Sequence, residues 1–179
     1  MRTVEWHDGK VRMIDQKRIP WQLEFVELED YQAVAAAITD MTVRGAPAIG
    51  SAAAFGMALA AQQSTATTID ALIDDLQKAG NTLKAARPTA VNLAWAVDRM
   101  LTVARHSEFK QPGALREKLL EEAQRIADED VAINRQMGTN GAALIKDGAT
   151  ILHHCNTGAL ATVDYGTALG VIRASFEQG

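Results

Sequence analysis

The sequence predicts an α/β fold, in which a mainly helical region with a small antiparallel β-sheet is followed by one strand and one helix of a second unit. Three observations support this prediction. Short runs of β-forming residues occupy positions 4–27, and apolar residues recur at helical spacing over much of positions 31–137. Residues 149–177 then have the pattern of a strand, a polar loop and a helix.

The composition is that of a soluble globular protein. The 179 residues are 47% hydrophobic and carry a formal net charge of -4, which argues against a general nucleic-acid or anionic-membrane surface. Cys155 is the single cysteine, so an intrachain disulfide and a thiolate-rich zinc site are excluded. We expect a cytoplasmic protein, because a reducing compartment suits this content and the charged N-terminus lacks the apolar run of an export signal.

The N-terminal segment has the pattern of a small antiparallel sheet. Runs of β-formers cover residues 4–6, 10–15 and 19–27. Asp8-Gly9, between the first two runs, is a strong hairpin signal. Trp6 and Trp21 are predicted to anchor the packing of this sheet.

Five helices are predicted after the sheet. Asp30 is predicted to cap the first helix and Thr89 the fourth, while Pro47 marks the first residue of the second. The charged residues of the fifth helix are interpreted as a solvated face, and Gly138 and Gly141 as interruptions of its pattern. The predicted ranges are 31–41, 47–62, 69–86, 90–106 and 114–137.

The C-terminal residues predict the beginning of a second domain. Residues 149–154 have the pattern of a buried strand, 155–166 of a glycine-bearing loop and 167–177 of a helix. A parallel strand needs a partner to complete its hydrogen-bond ladder. We therefore expect this sequence to be the front part of a longer protein, with one domain over 1–147 and an incomplete one over 148–179.

Residues 42–50, T-V-R-G-A-P-A-I-G, predict an anion-binding helix start. The amides of Gly45 and Ala46 lie near a dipole-positive helix end, Arg44 adds a planar donor fork, and Gly45 leaves room for a ligand to approach the backbone. Arg87 precedes another helix start, so both arginines are candidates for one anion. The alternatives are an ordinary loop at 42–50 and a solvated arginine at 87.

Cys155 is the candidate catalytic residue. It ends the predicted strand and begins the loop of the H-H-C-N-T-G segment, where backbone donors can activate a thiol as a base or nucleophile. Alternation along a strand places His153 on the face of Cys155 and His154 on the other. The alternative is an inert buried thiol. A Cys–His metal site and a cysteine protease are disfavoured, because zinc-ligand spacing and a glycine-framed nucleophile signature are missing.

Three separated segments resemble the methylthioribose-1-phosphate isomerase family of methionine salvage. They are T-V-R-G-A-P-A-I-G, A-R-P-T-A-V-N-L from residue 86 and C-N-T-G-A-L-A-T from residue 155. The resemblance runs along the whole chain from the W-x-D-G hairpin at Trp6. The family shares a superfamily with archaeal ribose-1,5-bisphosphate isomerase and with regulatory subunits of the eukaryotic initiation-factor guanine nucleotide exchange factor.

The resemblance implies a helical N-terminal domain followed by a Rossmann-like domain, in a homodimer. It implies a phosphorylated pentose substrate. We expect no cofactor, no metal, and no nucleic-acid or membrane partner. Cys155 is the implied catalytic residue. The implied substrate-binding residues are Arg44, Gly45, Ala46 and Arg87, with Asn156, Thr157 and Gly158 in supporting positions.

The implied reaction converts methylthioribose 1-phosphate into methylthioribulose 1-phosphate. The phosphate on C1 blocks spontaneous ring opening, so an acid must first protonate the ring oxygen. The family's acid is an aspartate of the later Rossmann-like domain that these 179 residues do not include, and Asp164 does not match its motif. We therefore expect little or no turnover from this chain alone. The alternatives are a non-catalytic sugar-phosphate, nucleotide-binding or assembly module, and an isomerase of ribose 1,5-bisphosphate.

Overall fold

The structure, a computed structural model describing residues 1–106 and 108–179, confirms the predicted α/β class. Within these residues a three-stranded sheet precedes the helices. The strands are β1 (Val4–His7), β2 (Lys10–Ile14) and β3 (Phe25–Leu28). The helices are α1 (Tyr31–Thr39), α2 (Ala46–Gln63), α3 (Ile69–Ala86), α4 (Val91–Arg105), α5 (Pro112–Ala142) and α6 (Ala168–Gln178), with a 3-10 turn at Ala159–Ala161.

The predicted hairpin joins β1 to β2. Asp8 and Gly9 both have positive φ angles, of 47° and 81°, and they connect the paired residues His7 and Lys10. Two central residues with positive φ are what a two-residue hairpin loop requires for its twist to match that of the strands. The third strand pairs antiparallel with β2, so the order is β1-β2-β3.

The strand predicted over 19–27 is wrong in its first part. A turn intervenes, in which Trp21 and Gln22 both donate their amides to the carbonyl of Arg18, at 3.0 Å each. Pairing with β2 begins only at Phe25. The turn also leaves Trp21 88% exposed, so its predicted packing role is wrong, whereas Trp6 is half-buried with its ring centroid 6.4 Å from that of Phe55.

Helix α2 forms the centre of the core. Every residue from Ala48 to Ala61 is buried, and the helix contacts α1, α3, α4, α5, β1 and β2. Small residues permit this packing, since a Cβ on Gly56 would lie 3.1 Å from Leu83 and 3.2 Å from Val34. A helix buried on all sides is expected to be apolar all round. None of the helices in the described ranges is long and apolar enough to cross a bilayer.

The helix starts confirm one predicted cap and correct another. Asp30 accepts the amide of Ala33 at 2.7 Å and so caps α1, as predicted. The predicted cap Thr89 is wrong, because the amide of Ala90 turns back to the carbonyl of Arg87 at 2.9 Å and Ala90 takes the boundary position of α4. Within the described residues, no side-chain hydrogen bond caps the start of α4.

The charged face of α5 is only partly solvated, contrary to the prediction. Glu122 is 1% exposed and accepts a hydrogen bond from Nε of Arg99 on α4 at 2.6 Å and another from Arg125. Arg99 also donates to Glu129 at 2.6 Å, and this bond lowers the pKa of the Glu129 carboxyl. A carboxylate with so little access to water needs such partners, so the ion cluster ties α4 to α5.

Helix α5 continues through the two glycines that were predicted to interrupt it. A Cβ on Gly138 would lie 2.8 Å from the Tyr165 ring and 3.1 Å from the carbonyl of Gly170, and one on Gly141 would lie 2.6 Å from Val171. The glycines therefore let α6 and the segment before it pack closely against α5.

The strand predicted over 149–154 is wrong, whereas the following helix is confirmed as α6. Residues 149–154 have no regular secondary structure, and Leu152 is 99% exposed. Among the described residues none pairs with this segment as a neighbouring strand. A strand is stable only where a neighbouring strand pairs with its amides and carbonyls, which explains why the predicted strand does not form.

Substituting Gly138 with alanine is expected to lower the free energy of unfolding by about 1–3 kcal/mol, because Tyr165 and the α6 backbone leave no room for a methyl group. The matched control is Gly113→Ala in the first turn of α5, where a Cβ meets no atom within 4 Å. That change should be neutral or stabilising by up to about 1 kcal/mol. Urea unfolding of both variants tests the difference, and equal effects would show that α6 does not restrict position 138.

Candidate functional site

Residues 155–166, here named the cysteine loop, connect the irregular segment 149–154 to α6. The middle of the loop is the 3-10 turn Ala159–Ala161, which contacts α2. The loop thereby brings the C-terminal part of the chain to the start of the most deeply buried helix.

Helix α2 begins as an anion-binding helix start would. Gly45 is the N-cap residue, with φ of 98°, and Ala46 is the first helical residue. Pro47 therefore occupies the second helical position, one residue later than predicted. The first amides of a helix have no acceptor within it, so the amides of Ala46 and Ala48 add to the partial positive charge at this end.

Gly45 lies directly against the cysteine loop. A Cβ at this position would fall 2.3 Å from both Cα and the carbonyl oxygen of Ala161. The space left by the missing side chain is thus filled by protein backbone, which corrects the interpretation that it admits a ligand. Gly45 is instead the residue that permits the loop to contact the start of α2.

Arg44 is exposed, and its side chain turns towards the end of the sheet. One terminal nitrogen donates to the backbone carbonyl of Gln16 at 2.9 Å. The side-chain amide of Gln16 in turn donates to the carbonyl of Leu160 at 2.7 Å and to that of Arg44 at 3.4 Å. Gln16 follows a strand in a polar Gln-Lys-Arg segment, where no motif distinguishes it.

Cys155 is exposed and has a positive φ of 73°, which removes the alternative of a buried inert thiol. Because residues 149–154 form no strand, the predicted alternation of His153 and His154 does not apply. The His153 ring instead forms a hydrogen bond with the hydroxyl group of Thr157. Asn156, beside the cysteine, is exposed.

Thr157 and Gly158 join the cysteine loop to α6. The Thr157 hydroxyl accepts the amide of Leu169 at 3.0 Å, and its carbonyl accepts the amide of Thr167 at 2.8 Å. Thr157 thus satisfies backbone donors at the beginning of α6. Gly158 is buried and packs against Gly166. A Cβ added to Gly166 would lie 2.8 Å from Cα of Gly158.

Two further residues that sequence reasoning missed hold the end of the loop. Asp130 of α5 accepts the Val163 amide at 2.8 Å, and the backbone and hydroxyl of Thr3 bond to the carbonyls of Val163 and Ala159, each at 2.8 Å. Burial raises the pKa of Asp130, and the bond from Val163 opposes this shift. Asp130 lies four residues after the buried Ile126, so both lie on the same face of α5. A carboxylate on an otherwise apolar helix face was the sequence signal that could have identified Asp130.

Arg87 lies at the end of α3 and is half-buried. The helix that follows it, α4, starts beside the first turn of α2, since a Cβ on Gly50 would lie 3.1 Å from the Asn92 carbonyl. The two helix starts are therefore adjacent. Binding of one anion by both Arg44 and Arg87 stays a prediction.

A cleft of about 200 Å³ opens beside the start of α2, with Trp95 and Asp130 among its lining residues. Two larger grooves, of about 500 Å³ and 510 Å³, lie along α5 and α6. None of these three cavities is lined by a predicted site residue, and the first groove is mainly apolar. The cavities therefore do not by themselves locate the predicted site.

Comparison with known proteins places these features in a family context. Residues 42–179 match the model of the initiation factor 2 subunit family. The chain is 54% identical over 178 residues to a methylthioribose-1-phosphate isomerase of Synechococcus and 53% identical over 178 residues to one of Geotalea uraniireducens. Each match covers 99% of this chain and 51% of the relative, so the chain spans about half the length of these curated relatives.

Solved structures share the fold over the same extent. 5-Methylthioribose 1-phosphate isomerase from Pyrococcus horikoshii is 45% identical with a TM-score of 0.92, over 99% of this chain and 50% of that one. The delta subunit of translation initiation factor eIF-2B from A. fulgidus is also 45% identical, with a TM-score of 0.89, over 100% of this chain and 52% of its own.

Substituting Gly45 with alanine should destabilise the protein by at least about 2 kcal/mol more than Gly9→Ala. Both glycines have positive φ, so an alanine is strained by the backbone conformation at either position. A Cβ at Gly9 meets nothing within 4 Å, whereas one at Gly45 overlaps Ala161. Chemical unfolding measures the difference, and equal losses would mean that the loop does not depend on this contact.

Proposed function

The chain belongs to the initiation factor 2 subunit family, and we propose that the protein is an aldose-ketose isomerase of methionine salvage. Its substrate is 5-methylthioribose 1-phosphate and its product 5-methylthioribulose 1-phosphate. The observation that carries this proposal is 54% identity over 178 residues, which is 99% of this chain, to a relative named methylthioribose-1-phosphate isomerase.

The phosphate is bound at the start of α2 in this proposal. Arg44 supplies a charged donor pair, while the amides at the helix start, including that of Ala46, supply uncharged donors. Gly45 contributes through its backbone and by admitting the cysteine loop. Arg87 comes from the segment ahead of the adjacent helix start and acts as a second cation for the same phosphate.

Cys155 is the proposed catalytic residue, next to the C1–C2 bond of the sugar. Its thiol is exposed, and the loop that carries it packs against Gly45 through Ala161, which supports a role in proton transfer. The loop around it is held by Thr157 and Gly158 through their contacts with α6, and Asn156 adds an exposed amide. These three residues support the cysteine in this proposal rather than react.

The general acid for ring opening is proposed to come from a residue outside these 179. Asp164 is already engaged, because it accepts the amide of Tyr165 at 2.6 Å and lies 3.5 Å from the N-terminal amine. We accordingly propose a domain of residues 1–147 and a Rossmann-like domain to which residues 148–179 belong. This chain would then bind substrate and convert it weakly or not at all.

The protein is further proposed to be a cytoplasmic homodimer that does not bind nucleic acid or membranes. A lone exposed cysteine suits a reducing compartment. Exposed apolar side chains at the C-terminal end, including Leu144 and Phe176 at 84% and 87%, are of the kind that a subunit or domain interface covers.

A second candidate function is a non-catalytic sugar-phosphate, nucleotide-binding or assembly module. The likeness to a protein named as the delta subunit of eIF-2B, at 45% identity, favours it. Such a module has no need of the cysteine, whereas the isomerase needs Cys155 together with the two arginines. Ligand preference therefore distinguishes the two functions.

Calorimetric titration of the chain should show binding of 5-methylthioribose 1-phosphate in preference to AMP. Arg44→Gln is expected to weaken binding by roughly tenfold or more, as loss of a charge-assisted hydrogen bond does. The matched control is Arg105→Gln at the far end of α4, which removes the same charge and should change affinity less than about twofold. Stronger binding of AMP would favour the module.

Turnover of 5-methylthioribose 1-phosphate by this chain should be at least about 10²- to 10⁴-fold below that of the Pyrococcus horikoshii isomerase, the range that general acid catalysis typically supplies. The ketose product is measured directly. Turnover close to that of the relative would contradict the assignment of the acid to residues outside this chain.

A further inference from the structure

We propose that Gln16 is a positioning residue that sets the cysteine loop against the phosphate-binding helix start, an inference that rests on the proposed function. Its side-chain amide nitrogen donates to the carbonyl of Leu160 at 2.7 Å and to that of Arg44 at 3.4 Å. One amide group therefore bonds to both segments that carry the proposed substrate contacts.

The backbone of Gln16 strengthens the same connection. Its amide donates to the carbonyl of Thr42 at 2.9 Å, and its carbonyl accepts the guanidinium group of Arg44 at 2.9 Å. Gln16 thus contacts the segment before α2 through both its backbone amide and its backbone carbonyl. A shift of Gln16 would move the Arg44 guanidinium group as well as the loop.

The orientation of the Gln16 amide is determined by its surroundings. Both neighbours of the nitrogen are carbonyl oxygens, so a flipped amide would place an oxygen against two acceptors. The side chain is 1% exposed, and its oxygen is buried without a hydrogen-bond donor in the structure. A buried acceptor without a donor disfavours this arrangement energetically. Its persistence here fits a role in spacing the two segments.

Thr3 provides the comparison that separates positioning from simple support. Its hydroxyl donates to the carbonyl of Ala159 at 2.8 Å, so it holds the same 3-10 turn. The hydrogen bonds that Thr3 donates both go to the cysteine loop, and its carbonyl accepts the amide of Ile14 of β2 at 2.9 Å. Among the described residues, none of these bonds involves Arg44. Loss of the Thr3 hydroxyl should loosen the turn without changing its spacing from the helix start.

The test uses alkylation of Cys155 by iodoacetamide, which reports on a single thiol in this chain. Saturating 5-methylthioribose 1-phosphate should slow alkylation of the wild-type chain. In Gln16→Met, which keeps the side-chain volume and removes the amide that donates to Leu160 and Arg44, the protection should fall by about fivefold or more, the change expected when at least one hydrogen bond is lost. Affinity for inorganic phosphate should stay within about twofold, since Arg44 and the helix start remain.

Thr3→Val is the control, and it should retain the wild-type protection while losing thermal stability. Equal protection in Gln16→Met and the wild type would overturn this inference alone. No protection in the wild-type chain would overturn the proposed function together with the inference. If Gln16→Met does not fold, Gln16→Asn is used instead, because it keeps the amide on a side chain that is one methylene shorter. Its protection should also fall by about fivefold or more, and protection equal to that of the wild type would overturn the inference.

Discussion

The contact between Gly45 and Ala161 is the constraint on which the candidate site depends. Backbone meets backbone there at a distance that admits no Cβ, and Gly45 has a φ of 98° that other residues rarely adopt. The contact joins the start of α2, which is buried from Ala48 to Ala61, to a loop far along the chain. Thr3 and Asp130 hold the same loop by hydrogen bonds, so three separate parts of the chain fix its position.

The burial of α2 makes this junction rigid. Small side chains let four other helices and two strands pack around α2, and its first turn cannot move without disturbing that packing. A phosphate site built at such a helix start has its donors in place before the ligand arrives. Preorganised donors avoid the cost of ordering them on binding, which suits recognition of a small charged ligand.

The packing of α6 against α5 also depends on glycines that permit close contact. Gly138 and Gly141 remove side chains from α5 where α6 approaches, and Tyr165 packs between the two elements while its hydroxyl bonds to Glu177 at 2.9 Å. Thr157 then links the start of α6 to the cysteine loop. The candidate site therefore combines a helix start from the buried core with a loop anchored from the C-terminal side.

The sequence by itself determined the features that depend on neighbouring residues. The Asp8-Gly9 hairpin, the Asp30 cap and the approximate helix ranges follow from local backbone preferences and hydrophobic spacing. The motif segments also pointed to Arg44 and Cys155 as candidates, because their residue types carry the chemistry locally.

Only the tertiary structure decided which distant segments contact one another. It filled the space beside Gly45 with Ala161, buried Glu122 against Arg99, and placed Gln16 between the two parts of the site. It also left residues 149–154 without regular structure, because a strand forms only where another strand offers its hydrogen bonds. Each of these outcomes depends on whether residues far apart in the chain meet, which no local pattern encodes.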